Sequence, residues 1–173
     1  MTIIWIILII IAVPAVIALF LPKEYTVETF TIINRPKHMV FDYIKYVNNQ
    51  EEYSKWVKTD PNIKKTLTGI DGTVGYIYAW DGNSKAGAGE QQITAIVDGE
   101  RISTEVRFTR PFKSVAHFYI ATEADSDHGT KVTWHMSGKS PYPINLMTAM
   151  MKSALRNDMS ISLNDLKKIL ESR

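Results

Sequence analysis

The sequence of 173 residues predicts one main domain of the α+β class, and two patterns carry that prediction. Between residues 73 and 137 apolar and polar residues alternate, in segments bounded by Asp-Gly pairs such as Asp81-Gly82 and Asp98-Gly99. Such pairs between alternating segments are typical of β-hairpins. After Pro143 the apolar residues recur every three or four positions as far as Leu170, which predicts a long amphipathic helix. That helix needs an apolar partner, and the antiparallel sheet provides one.

The individual elements follow from local signals. Residues 25–33 alternate and are rich in β-formers, so they predict a first strand. Asn34-Arg35-Pro36 then ends the strand, and apolar residues at helical spacing up to Val47 predict a short helix. A second short helix is predicted over Glu51–Trp56. The remaining predicted strands are 64–68, 73–80, 86–97, 100–109, 114–123 and 130–137, followed by a final helix of about 28 residues.

Composition excludes several functional classes. Lys and Arg number 20 against 18 Asp and Glu, with no basic run, which argues against nucleic acid as a partner. The absence of cysteine excludes disulfides, thiolate nucleophiles and cysteine-based metal sites. The four histidines show no metal-ligand spacing, so we expect neither a metal nor a cofactor.

The N-terminal segment is the most apolar part of the chain. Residues 3–21 carry no charge and, as a helix, would extend about 28 Å, close to the hydrocarbon thickness of a bilayer. We therefore predict a transmembrane anchor over 1–22 and a separate domain over 23–173. A cleaved signal peptide is the alternative, but no cationic residue precedes the apolar run. Basic residues follow it, which predicts a single-pass membrane protein with its C-terminal domain in the cytoplasm.

Four local sequences carry a family resemblance. They are Asn34–Ile44, Tyr53–Trp56, Gly87–Ile93 and Gly129–Trp134. In their order along the chain they resemble the START-like, or SRPBCC, superfamily, and within it the polyketide cyclase/dehydrase and lipid transport branch. The resemblance covers roughly residues 25–172. It implies a helix-grip fold, in which a curved antiparallel sheet wraps around the long C-terminal helix. The N-terminal anchor would be an addition that most members lack.

The resemblance also implies a ligand. A curved sheet around a helix leaves a residual apolar cavity, and small-molecule sites are concave and mostly apolar. In this superfamily the cavity holds a lipid, a sterol, a polyketide-like molecule or another apolar compound. The implied partner is therefore a hydrophobic small molecule or lipid.

Strand alternation and helix spacing select ten candidate cavity-lining residues. Inward-facing positions of two strands provide four of them, the aromatic side of strand 73–80 provides three, and the stripe of the last helix provides three. The three aromatics could equally lie on the outer face, and the methionines could be ordinary core residues. The candidates are Tyr76, Tyr78, Trp80, Val106, Phe108, Trp134, Met136, Met147, Met151 and Leu155.

Few residues could support catalysis. Glu90, Arg107, His117 and His135 lie in predicted strands, where either face is open to them, and charge on an outer sheet face is the default. No catalytic motif joins them, so we name no catalytic residue. Three hypotheses follow: a membrane-tethered ligand-binding domain, an enzyme of the polyketide cyclase/dehydratase type, and a non-catalytic interaction or structural module with a closed interior.

Overall fold

The computed structural model describes residues 12–125 and 129–173. Within them, two short 3-10 turns, Val47–Asn49 and Val57–Thr59, lie on either side of the short helix Gln50–Tyr53. The helices are α1 (residues 12–20), α2 (Lys37–Ile44), α3 (Gln50–Tyr53) and α4 (Asn145–Ser172). The strands are β1 (Glu24–Ile33), β2 (Lys64–Thr68), β3 (Ile77–Asp81), β4 (Ala88–Val97), β5 (Arg101–Arg110), β6 (Ser114–Ala124) and β7 (Thr130–Lys139).

The strands form one antiparallel sheet in the order β1-β7-β6-β5-β4-β3-β2. Strands β2 to β7 are a simple meander, as the hairpin signals predicted. Strand β1 is the edge strand next to β7 and pairs with it from Glu24 opposite Lys139 to Ile33 opposite Thr130. Between β4 and β5 the register shifts at Ala88/Gly89 and at Ile93/Ala95, and such irregularities increase local bending and twist. The sheet is therefore curved, with a concave face toward α4.

Several predicted elements are shorter than expected, two of them in irregular parts of the chain. The strand predicted over 73–80 begins only at Ile77, because residues 73–76 form turns, in which Gly75 has a φ of 93°. The helix predicted over Glu51–Trp56 is the single turn Gln50–Tyr53. Both segments are too short for a period of two or of 3.6 residues to distinguish a regular element from a turn.

The core lies between the concave face and the second half of α4. Met159, Leu163, Leu166 and Leu170 are buried along one side of the helix. They pack in one cluster with sheet residues such as Val27, Ile93, Val132 and Trp134. Each fully buried apolar side chain of this size contributes about 1.5–3 kcal/mol relative to an exposed one. The C-terminal part of the predicted helix stripe is thus confirmed, and it anchors the helix.

Arg35 fixes the C-terminal end of α4. Its Nε donates to the carbonyl oxygen of Leu170 at 2.8 Å, and its Nη2 donates to that of Glu171 at 3.0 Å. The Glu171 carboxylate in turn accepts the backbone N–H of Asn34 at 2.7 Å. These bonds satisfy carbonyl groups that a helix end leaves without partners. The strand-to-helix passage after β1 therefore holds the end of the helix in place.

The prediction of a single-pass membrane protein requires correction. Of the predicted span, residues 3–11 lie outside the described residues, and residues 12–20 are helical. The longest helix of the described residues, α4, carries charges such as Lys152, Arg156 and Asp158. Across residues 12–125 and 129–173, no helix combines the length and the apolar character needed to cross a bilayer. The predicted membrane localisation, with its cytoplasmic domain, is therefore wrong as stated.

Candidate ligand-binding cavity

A cavity of about 330 Å³ lies between the concave face of the sheet and the first half of α4. The α2–β2 segment closes one side of it, and the β3–β4 and β5–β6 turns form its rim. Most lining side chains are apolar or aromatic. The lining residues are Val47, Gln50, Ser54, Trp56, Val57, Thr59, Ile63, Tyr78, Trp80, Lys85, Ala86, Gly87, Gln91, Val106, Phe108, Arg110, Pro111, Phe118, Trp134, Met136, Met151 and Leu155.

Aromatic rings give the cavity a rigid wall. Trp56 meets Trp134 edge to face, with ring centroids 5.6 Å apart, and meets Phe118 in the same way at 6.2 Å. Trp80 packs edge to face on Phe108 at 5.9 Å. Edge-to-face pairs of this kind are favourable beyond their buried area. The rings thus support one another along this wall.

Polar atoms of the lining are largely paired with protein atoms. The Tyr78 hydroxyl donates to Glu51 Oε1 at 3.2 Å, and Gln91 Nε2 donates to Thr104 Oγ1 at 3.1 Å. Trp80 Nε1 donates to the Ala86 carbonyl oxygen at 3.2 Å. Burial, followed by the nearby Glu51 carboxylate, raises the pKa of Tyr78, so its hydroxyl stays neutral at physiological pH. The interior therefore offers a ligand mainly apolar surface.

The β3–β4 turn is held firmly at the rim. Asp60, itself buried, accepts the backbone N–H of Asn83 at 2.7 Å and that of Asn62 at 3.0 Å. Asn83 Oδ1 accepts the N–H groups of Lys85 and Ala86. Gly87 has a φ of 66°, and a Cβ there would lie 2.6 Å from the Arg110 carbonyl oxygen. Only glycine fits this close approach, which brings the turn against the end of β5.

Eight of the ten candidate lining residues lie on the cavity wall. The other two lie elsewhere. Tyr76 is buried beside the first 3-10 turn, where its hydroxyl donates to Asn48 Oδ1 at 2.7 Å. Met147 lies one turn too far toward the start of α4 and is 43% exposed.

The polar candidates lie on the opposite, convex face of the sheet. Arg107 pairs there with Glu90 at 2.7 Å and with Glu105. His117 is exposed, 3.8 Å from Glu105, and His135 stacks on Tyr119 with ring centroids 4.4 Å apart. None of these side chains lines the cavity. Within the described parts of the chain, no group of three His, Cys, Asp or Glu is arranged to hold a metal ion.

Sequence reasoning missed the side of the cavity formed by residues 47–63. Trp56 is its largest side chain, yet the segment is made of single turns with no measurable periodicity. The available signal was a tryptophan in a short irregular segment of an otherwise regular domain. Lys85 and Pro111 were missed for a related reason, because both lie in turns whose path depends on tertiary contacts.

Comparisons with known proteins agree with this architecture. A family described as polyketide cyclase / dehydrase and lipid transport matches residues 24–171. None of the curated proteins matches the chain.

Solved structures share the fold at low sequence identity. Protein CV1439 from Chromobacterium violaceum is 15% identical, with a TM-score of 0.61, over 84% of this chain and 96% of that one. Protein MLL2253 from Mesorhizobium loti is 14% identical, with a TM-score of 0.64, over 86% and 98%. The solution structure of the Aha1 dimer from Colwellia psychrerythraea is 13% identical, with a TM-score of 0.60, over 85% and 96%. At these identities the likeness concerns the fold alone.

Proposed function

Because the chain belongs to the polyketide cyclase / dehydrase and lipid transport family, within the SRPBCC superfamily, we propose that its cavity reversibly binds one apolar small molecule or single-chain lipid. The observation that carries this proposal is the aromatic-walled cavity of about 330 Å³. Ligand pockets occupy about 300–1,000 Å³, so the cavity suits a small ligand.

The cavity volume supports binding over a closed structural module. At about 330 Å³ the cavity is far larger than the space that one water needs, so several waters would fit in it. Most of its wall, including Val106, Met136 and Leu155, cannot hydrogen-bond to such waters. An apolar ligand would replace water that has few partners there, which is favourable.

The positions of the polar side chains favour ligand binding over catalysis. The candidates for acid–base work, Glu90, Arg107, His117 and His135, lie on the convex face and cannot reach a molecule in the cavity. Inside it, the polar atoms of Tyr78 and Gln91 already have protein partners. With these atoms engaged, the described lining is suited to holding a ligand by apolar contact rather than to transforming it.

The chain carries its own reporter for a test. Trp56, Trp80 and Trp134 line the cavity, and Trp5 is the one other tryptophan. Titration of the full chain with decan-1-ol, a neutral apolar probe, should change the tryptophan emission and saturate at one molecule per chain. Native mass spectrometry of the same mixture gives the stoichiometry independently.

A pair of phenylalanine variants locates the binding. Val106→Phe adds bulk to the cavity wall and should weaken decan-1-ol binding at least tenfold. Val115→Phe makes the same change on the convex face, where Val115 is 43% exposed, and should leave the affinity within twofold. The proposal fails if decan-1-ol neither changes the emission nor is retained, or if both variants weaken binding equally.

A further inference from the structure

The charged residues on the cavity wall are all of one sign. Lys85 and Arg110 both line it, and among the described lining residues none is Asp or Glu. We propose that the ligand is an amphipathic carboxylate, whose apolar body occupies the cavity and whose anionic end binds Lys85 at the rim. This inference rests on the proposed function and adds the chemical class of the ligand.

Arg110 has protein partners already. Its Nη2 contacts Asp81 Oδ1 and also donates to the Gly82 carbonyl oxygen at 2.9 Å. These contacts hold the guanidinium against the β3–β4 turn and offset its charge. Arg110 therefore contributes mainly to the position of the turn, and less to attraction of an anion.

Lys85 is in a different position. Within residues 12–125 and 129–173 its ammonium group forms no ion pair. Two acidic residues next to lining residues are engaged elsewhere: Asp60 accepts two backbone N–H groups, and Glu51 pairs with Lys65 at 2.6 Å. The positive charge of Lys85 is consequently available to a ligand.

The position of Lys85 also matches what an amphipathic ligand needs. Burying a carboxylate inside the apolar cavity would be costly, because its hydration would be lost. Lys85 is exposed at the rim, on a turn that Asp60, Asn83 and Gly87 hold in place. A carboxylate there keeps part of its water while it meets a cation. The cavity thus has an apolar interior and one cationic end, which complement a ligand with an apolar body and one anionic end.

Three ten-carbon probes that differ only in their end group test the inference on the full chain. Decanoate, decan-1-ol and decylammonium are titrated against the tryptophan emission at pH 7 and low salt. Decanoate should bind about 1.5-fold to fivefold more tightly than decan-1-ol, the range expected for an ion pair that remains partly exposed. Decylammonium should bind more weakly than decan-1-ol, and added salt should reduce these differences.

Charge reversal assigns the effect to one residue. Lys85→Glu should remove the preference for decanoate and leave decan-1-ol binding within twofold. Lys37→Glu, the same charge change in the first turn of α2, away from the lining, is the matched control and should keep the preference.

The outcomes separate this inference from the proposed function. If decan-1-ol binds but decanoate is not preferred, or if Lys85→Glu and Lys37→Glu behave alike, the carboxylate inference is overturned and apolar binding stands. If no probe binds, the proposed function itself fails, and the inference fails with it.

Discussion

The two halves of α4 belong to one continuous helix but meet the sheet differently. In the second half, Met159, Leu163, Leu166 and Leu170 are buried, and Arg35 holds the helix end. In the first half, the apolar stripe continues, yet Met147, Met150 and Met151 are 43%, 77% and 47% exposed. Only Leu155 is partly buried against the core there.

This difference shows how one helix can both stabilise a domain and leave a cavity. The concave sheet contacts the helix closely along one half, where small gaps can be filled by leucine and methionine side chains. Toward the other half the space between sheet and helix is wider than those side chains can fill, and the cavity of about 330 Å³ remains. Stability is therefore concentrated at one end of the helix, and the candidate site lies at the other.

The largest difference between the two halves of α4 is expected from a matched pair of leucine-to-alanine substitutions. Leu163→Ala should lower the free energy of unfolding by about 2–5 kcal/mol, because it creates a cavity in a packed region. Leu155→Ala should cost less than half as much, because its side chain already borders empty space. Urea denaturation of both variants measures the difference. Equal losses would contradict a division of α4 into packed and unpacked halves.

A smaller effect is expected from Arg35, which closes the packed end. Arg35→Ala removes two hydrogen bonds to the carbonyl oxygens of Leu170 and Glu171, and should cost about 1–2 kcal/mol. Arg156→Ala, on the exposed side of the unpacked half, is the control and should change stability by less than about 0.5 kcal/mol. Hydrogen exchange of the last turn of α4 should increase only in the Arg35 variant. Protection that stays unchanged there would show that the helix end does not depend on Arg35.

The smallest expected effect is a dependence on pH at the same end. The backbone N–H of Asn34, followed by the Lys167 ammonium, holds the pKa of Glu171 below its ordinary value of 4.5. A depressed pKa in the folded state means that the stabilisation is fully present above pH 4.5. It is lost as the pH falls through the folded-state value.

Substitution of that carboxyl measures the contribution. Glu171→Gln should reduce the loss of unfolding free energy at low pH by less than about 1 kcal/mol, because the Glu171–Lys167 pair is partly exposed. Some acid sensitivity should persist, because Lys58 likewise lowers the pKa of Asp165. Denaturation midpoints measured between pH 3 and pH 7 provide the check. An unchanged acid limb in the Gln variant would mean that Glu171 contributes nothing by its charge.

Which residues face the cavity could be predicted only where the pattern was long. Strands β5 and β7 alternate over ten residues each, so the inward positions of Val106, Phe108, Trp134 and Met136 followed from sequence. Strand β3 has only five residues, and the turns before it place Tyr76 away from the cavity while Tyr78 and Trp80 line it. A short pattern does not fix a face, since one residue of shift moves every side chain to the other side.

The α+β class, the meander and the 28-residue final helix could be predicted from the sequence alone, because they depend on periodicity and turn chemistry that act locally. The apolar run at residues 3–21 led to the prediction of a membrane span, but no helix of the described residues is long and apolar enough to be one. Three facts required the folded structure: β1 pairs beside β7, Trp56 and Lys85 line the cavity, and Arg107 and His117 lie outside it. Those facts depend on the curvature of the sheet and on contacts between residues far apart in sequence, which no local pattern encodes.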